Sequence, residues 1–250
     1  TEPRARAAEM RRAYDEATRD SRHGGDDGGG SANCVWFASR AEALAGVKVT
    51  EFGAYAAGPH IGKMLAAFGA TVVHVESRQR PDGFRNEYPP FKDGRPGLNR
   101  SGCFAMFNDS KHADTLDLKK PAGRDAVLRL IETADVLVYN VRPQAMARLD
   151  LGYEVVSKIN PRLIYAGVFG FGQEGPYAAK PAYDDLIQGA TALPALMAQT
   201  ADGVPRYVPN ALVDRIVGLT AVGAICASLV DRDRTGRGQR VDIPMFETMA

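Results

Sequence analysis

Apolar positions along the chain form short runs separated by stretches of helical spacing, and the two patterns alternate. The runs VKVTEF (47–52), TVVHVE (71–76), DTLDL (114–118), VLVYN (136–140) and LIYAGVFG (163–170) have the length and composition of strands. Between them, HIGKMLAAFG (60–69) and the segment from Pro121 to Thr133 are spaced as helices. In the second, Val127, Leu128, Leu130 and Ile131 share one face, and Pro121 stands near the start, where its missing N–H is no loss. Residues 77–101, rich in Pro, Gly and Arg, read as a long loop. Strands alternating with helices predict an α/β fold around a parallel sheet. Ligands of such open sheets bind in the crevice at the carboxyl ends of the strands. That directs attention to GAYAAGP, ESRQR, NVRPQ and GFGQEGP, each following a predicted strand.

A different pattern occupies Ile216 to Val230, where only Thr220 and Ser228 are polar. As a helix this run is apolar on every side, which predicts burial. It falls short of the roughly twenty residues that span a bilayer, so no membrane segment is expected. The run opens on Asp214 and Arg215. The plain reading is a helix-start charge, or a local pair with Arg215. The chemical reading is a general base or a covalent nucleophile at the edge of a dry crevice. Tyr183, Asp184 and Asp185 open another predicted helix, where carboxylates can cap free N–H groups.

The N-terminal segment TEPRARAAEMRRAYDEATRD lacks both an initiator Met and the apolar centre of a secretory signal. HGGDDGGGS (23–31), with five glycines and two aspartates, reads as a flexible linker. Residues 1–43 are therefore expected to be an extension, with the main domain at 44–250. At 250 residues and 45% hydrophobic the chain can build a sizeable core.

Charge narrows the ligands. Thirty-one basic and 30 acidic residues leave +1, so no global field gathers nucleic acid or an anionic membrane. Any anion must be met by a local cluster. Basic residues recur after predicted strands: Arg78 and Arg80, Lys119 and Lys120, Arg142 and Arg148. Singly each reads as a surface charge; together they can meet a ligand with several phosphates, since strand ends of one sheet face one crevice. No P-loop is present, and Gly53, Gly58 and Gly62 do not match GxGxxG, so a dinucleotide cofactor is not supported. Cys34, Cys103 and Cys226 have neither disulfide nor zinc spacing. No metal is expected, and a cytoplasmic setting is.

Four segments then occur in a telling order: VKVTEFGAYAAGPHIGKMLAAFGATVVHVE; FNDSKHADTLDLKKPAGRDAVLRLIETADVLVYNVRPQAMARLDLGYE; NPRLIYAGVFGFGQEGPYAAKPAYDDLIQ; and LVDRIVGLTAVGAICASLVDRDRTGRGQRVDIPMFE. Together they resemble the family III CoA-transferases (CaiB/BaiF family), which include formyl-CoA and carnitine CoA-transferases and α-methylacyl-CoA racemase. The resemblance implies the large domain of that family, a Rossmann-like open parallel sheet with flanking helices. It places Asp214 on the family's nucleophile, and implies movement of CoA from an acyl-CoA to a carboxylic acid through an aspartyl mixed anhydride.

For CoA it implies contacts from Tyr55, Ala56, Ala57, Leu116, Lys119, Asn140, Val141 and Arg148, with Arg142 able to add one. Ser77 follows Glu76 where some relatives carry an arginine, and Arg78 is next in line for that contact. Racemases of the family have a histidine where this chain has Tyr183. A phenol with a pKa near ~10 is a poor partner for α-proton transfer, so transfer is favoured over racemisation. Asp184 is expected to help orient the acyl group. CoA enters as substrate, with no permanently bound cofactor, and the relatives form interlocked homodimers. They also continue past MFETMA into a second domain and a glycine-rich active-site loop, so a remaining segment or partner is expected. The alternatives are an acyl-CoA racemase or epimerase, and a non-catalytic CoA-binding subunit.

Overall fold

A computed structural model of the chain describes residues 43–200 and 202–250. The predicted linker and the segment before it lie outside the described residues. Strand β1 (Lys48–Phe52) leads into helix α1 (Ala57–Ala67), then β2 (Thr71–Glu76). The following loop contains two short 3-10 turns, Gly83–Arg85 and Lys92–Gly94, and ends in α2 (Gly102–Asn108). Next come β3 (His112–Thr115), α3 (Pro121–Thr133), β4 (Val136–Tyr139), α4 (Pro143–Arg148), α5 (Tyr153–Ile159) and β5 (Ile164–Phe169). After a loop follow α6 (Asp184–Ala190), α7 (Leu193–Gln199), α8 (Leu212–Thr235), β6 (Arg240–Pro244) and α9 (Met245–Met249).

The six strands among the described residues are all parallel, in the order β3-β2-β1-β4-β5-β6. The chain builds outward from β1 to β3, then returns to start β4 on the other side of β1. This makes the β1–β4 gap the topological switch point, where a crevice opens at the carboxyl ends. The central strands β4 and β5 are buried throughout, because both faces are covered. Val136, Val138, Ile164, Ala166 and Val168 meet α1 and α8 on one face. Leu137, Tyr139, Tyr165 and Phe169 meet Val127 and Ile131 of α3, Met146 of α4 and Val156 of α5 on the other.

Three expectations change. The strand read at 114–118 lies at 112–115, because β2, its partner among the described residues, ends at Glu76 opposite Thr115; Leu116 and Leu118 leave the ladder and pack into the core below. The long loop ends in a short helix that its sequence did not reveal, α2, capped by the Ser101 hydroxyl accepting from the Phe104 N–H at 3.2 Å. The apolar run belongs to a 24-residue helix, long and apolar enough to cross a membrane by length and composition. It is a core helix because Val213, Val217, Ala221, Ile225 and Leu229 are seated on the sheet and α1. Burial is one-sided: Ile216, Leu219 and Val230 face outward at 38%, 43% and 56% exposure.

Candidate active site

The crevice is built first from the turn after β1. Asn140, directly after β4, spans the switch point: its Oδ1 accepts from the Ala54 N–H at 3.0 Å, and its Nδ2 donates to the Ala54 carbonyl at 2.8 Å. Gly58 is the residue that lets α1 approach it, since a Cβ there would fall 2.9 Å from the Asn140 side-chain carbon. Tyr55 follows in the left-handed conformation, φ +61°, at a cost of roughly 1–2 kcal/mol for an L-residue. The Tyr55 N–H donates to both carboxylate oxygens of buried Asp82, each at 3.1 Å, and its hydroxyl donates to Glu87 at 3.2 Å. Helix α1 then begins at Ala57 with no side-chain cap and no acid in its first turn, leaving a partial positive charge at the crevice.

The ring of Tyr55 meets the ring of Tyr183 edge-on, 6.1 Å between centroids. Tyr183 is the residue before α6. Next to it, Asp184 holds the start of α8: its Oδ2 accepts from the Asp214 N–H at 2.9 Å, while its Oδ1 accepts from Gln188 Nε2 at 2.6 Å. Gln188 is buried, and its Oε1 accepts from the Val208 N–H at 2.9 Å. Asp214 therefore sits in the first turn of α8 beside a second carboxylate. Burial pushes its pKa up to about 7, and the charges of Asp184 and Asp185 add to the rise.

No ion pair joins Asp214 to Arg215 among the described residues. Arg215 turns instead to α2, with Nη2 3.7 Å from Met106 Sδ and its guanidinium 5.3 Å from the centre of the Phe107 ring. The local-pair reading of Asp214 is thereby set aside. What distinguishes this carboxylate is a part-buried, acidic setting that raises its proton affinity.

Of the other expected contacts, Asn140, Tyr55, Ala56 and Ala57 come together at the turn. Val141 is exposed beside it. Arg142 reaches the 170–183 loop, donating to the Ala179 carbonyl at 3.3 Å. Arg148, at the end of α4, and Arg78 and Lys119, just past β2 and β3, are exposed. Leu116 is half-buried against the lower core. β2 and β4 flank β1 and β3 lies beyond β2 in the parallel sheet, so Arg78, Lys119 and Arg142 all follow strands at its carboxyl end. Among the described residues no cluster of His, Cys, Asp and Glu is able to hold a metal ion.

Three residues of this region were not legible as site residues. Gln188 is one turn from Asp184, a spacing that allows their side chains to meet. Asp82 stands in a Pro-Asp-Gly sequence that reads only as a turn. Glu51 hides in the first strand and anchors the floor under α1. For Gln188 the consequence is measurable: Gln188→Leu keeps the bulk but leaves Asp184 Oδ1 and the Val208 N–H without these partners. Urea unfolding is expected to show a loss of about 1–3 kcal/mol.

Comparison with known proteins agrees with this geometry. The sequence model of CoA-transferase family III matches residues 44–250. The chain is 36% identical over 213 residues to a succinate–glutarate CoA-transferase of Agrobacterium fabrum, covering 85% of this chain and 53% of that protein. It is 34% identical over 206 residues to a formyl-CoA:oxalate CoA-transferase of Escherichia coli, covering 82% and 48%. A crystal structure of a CaiB/BaiF family protein from Brucella suis superposes with a TM-score of 0.76 at 37% identity, over 83% of this chain and 54% of that one. The chain thus spans about half the length of the curated relatives it matches. On the match over residues 44–250 and these likenesses, the chain belongs to family III of the CoA-transferases.

Proposed function

We propose that the protein moves CoA from an acyl-CoA to a carboxylic acid, with Asp214 as the covalent nucleophile. The observation that carries this reading is the place of Asp214: a part-buried carboxylate beside Asp184, held by it at the carboxyl end of the sheet, with its proton affinity raised by burial and by the neighbouring acids. Desolvation strips such a group of competing water and raises its basicity. An Asp214 oxygen attacks the thioester carbonyl carbon, the C–S bond breaks, and CoA leaves as its thiolate. The thiolate then attacks the aspartyl carbonyl of the mixed anhydride, expelling the donor's carboxylate and leaving an aspartyl-CoA thioester. The acceptor carboxylate attacks that thioester and releases the thiolate again. Its return to the acceptor's carbonyl forms the new CoA ester and frees Asp214. Thioester energy is conserved at each exchange, so no nucleotide is consumed.

The uncapped start of α1 and the exposed Arg78, Lys119, Arg142 and Arg148 support binding of the CoA phosphates. Tyr183, rather than a histidine, supports transfer over racemisation, and Asp184 acts by fixing the nucleophile's helix as well as bounding the acyl end. The names of relatives acting on succinate, glutarate and oxalate support dicarboxylic acids as the first acceptors to try. The same reading makes the enzyme a homodimer in the cytoplasm. The outward apolar residues of α8 support a covering chain, and the free thiols Cys103 and Cys226 support a reducing setting.

The test is intact-protein mass after incubation with a panel of acyl-CoA thioesters, followed by hydroxylamine. An adduct mapped to Asp214, absent in Asp214→Ala, is the expected result. CoA binding with no adduct from any donor would overturn covalent transfer in favour of a CoA-binding subunit.

A further inference from the structure

Among the buried titratable groups outside the reaction, Asp82 is the one wired directly to the site. It is 3% exposed, and none of the ion pairs among the described residues includes it. A buried carboxylate without a cation is costly, so what it binds is informative. Among the described residues its oxygens accept only from backbone N–H groups, those of Tyr55 at 3.1 Å and Phe84 at 2.8 Å. Its own N–H donates to Glu76 Oε2 at 3.3 Å, and that carboxylate is gripped by Arg85, whose Nε donates to the same oxygen at 3.0 Å. Asp82 is thus fixed from behind and aimed at a single residue of the crevice.

The neighbouring residues grip the rest of Tyr55. A Cβ on Gly83 would come within 2.4 Å of the Tyr55 ring, so the ring rests directly on the Gly83 backbone. Phe84 and Tyr88 meet that ring edge-on at 5.5 and 6.4 Å, and Glu87 takes its hydroxyl. Residues 82–88 form a socket for one tyrosine whose φ of +61° is unfavourable for any residue with a side chain. The opposite partner of that ring is Tyr183, next to the carboxylate that holds Asp214.

We infer that Asp82 is a positioning residue for thioester binding: it locks Tyr55 in the left-handed conformation that opens the turn into α1 and sets the Tyr55–Tyr183 contact at the mouth of the site. The ligand half of this inference rests on the CoA reading above; the backbone half does not.

Two measurements on the 250-residue chain separate the halves. In protein labelled with 15N at its nine tyrosines, with Tyr55→Phe identifying the peak, the Tyr55 amide is expected to be protected from hydrogen exchange. Asp82→Ala should speed that exchange at least tenfold, and Asp82→Asn, which keeps one acceptor oxygen, less. An unchanged Tyr55 peak in a folded Asp82→Ala protein would overturn the positioning role. Calorimetric titration with CoA supplies the second reading. Asp82→Ala should weaken binding about tenfold in the native background and leave it unchanged when Tyr55 is already glycine, which takes a positive φ without help. Equal weakening in both backgrounds would show that Asp82 acts elsewhere and sink the proposal. If native protein binds no CoA, the ligand half falls, and amide exchange alone still decides whether Asp82 holds Tyr55.

Discussion

On the proposed route through Asp214, its replacement by asparagine is expected to abolish acyl transfer, lowering kcat by more than about 10⁴-fold, while the variant folds and becomes more stable than the native protein at alkaline pH. The first effect follows from chemistry, since an amide cannot displace a thiolate and form the anhydride. The second follows from the same burial that tunes the group. In the folded chain Asp214 titrates at about 7 and its ordinary value is 3.8, so its folded pKa is the higher one. A raised folded pKa means that the native aspartate favours folding most below its unfolded pKa and loses that contribution as pH rises through about 7. Above pH 7 the charged carboxylate, desolvated and facing Asp184 and Asp185, weighs against the fold by at most about 4 kcal/mol. Asparagine removes that charge, so its advantage should grow between pH 4 and 7 and then level off. Urea unfolding of both proteins across pH 4–9 reads this directly. A constant difference across that range would mean that Asp214 titrates normally, leaving the proposed nucleophile without its environment.

Lys111→Met is expected to be the most damaging substitution for stability. Lys111, Glu51 and His74 form a closed polar cluster inside the face that carries α1, with side chains exposed by 1% or less. Lys111 Nζ lies 3.0 and 2.9 Å from the two Glu51 oxygens, and also donates to the Pro59 carbonyl at 2.8 Å and Asn108 Oδ1 at 2.9 Å. His74 Nδ1 lies 2.7 Å from Glu51 Oε1. One ammonium thus ties β1, the first turn of α1 and the end of α2 together, while β2 joins through the ring. Methionine keeps the length and leaves Glu51 charged, with no other Lys or Arg paired to it among the described residues. Breaking one side of a buried pair costs roughly 3–5 kcal/mol, measurable by urea unfolding at pH 7.

The double variant Glu51→Gln/Lys111→Met should recover a large part of that loss, because the uncompensated charge disappears with its partner. If the double variant is as unstable as the single one, the cluster acts through shape and not charge. Burial pushes the Glu51 pKa up, but the Lys111 ammonium and the His74 contact outweigh it, leaving the carboxyl below its ordinary 4.5. A depressed folded pKa gives stability that is present above that ordinary value and lost as pH falls below it. The acid limb of unfolding should therefore be shallower in the double variant than in the native protein.

How much of this was written along the chain can be argued from its elements. The short apolar runs located β1, β2, β4 and β5 to within a residue or two at each end, and Pro121 marked the start of α3 where a helix start favours it. Those are local properties: side-chain size, β-branching and a missing N–H act on the nearest turn of backbone. The edge strand β3 was misplaced because its limits are set by where its neighbour β2 stops, information held forty residues away. Helix α8 was seen only by its apolar centre, since its last turns carry Asp231, Arg232 and Asp233, and there the fold is held by buried Arg232 donating to Asp135 at 2.8 Å.

The site divides in the same way. Sequence by itself determined the alternation of strands and helices, the family segments, the candidate aspartate at 214 and the basic residues after the strands. Only the tertiary structure decided that Asp184 caps Asp214, that Gln188 fixes Asp184, that Asp82 holds Tyr55, and that Arg215 turns away from its neighbour to lie against α2. The physical reason is that a hydrogen bond or a desolvated charge depends on distance in space, and these partners are brought close by the switch in strand order and by the packing of α6 and α8. Local backbone preferences can be read one residue at a time; the raised proton affinity of Asp214 exists only once the start of α8 is packed and Asp184 and Asp185 of α6 are brought near it.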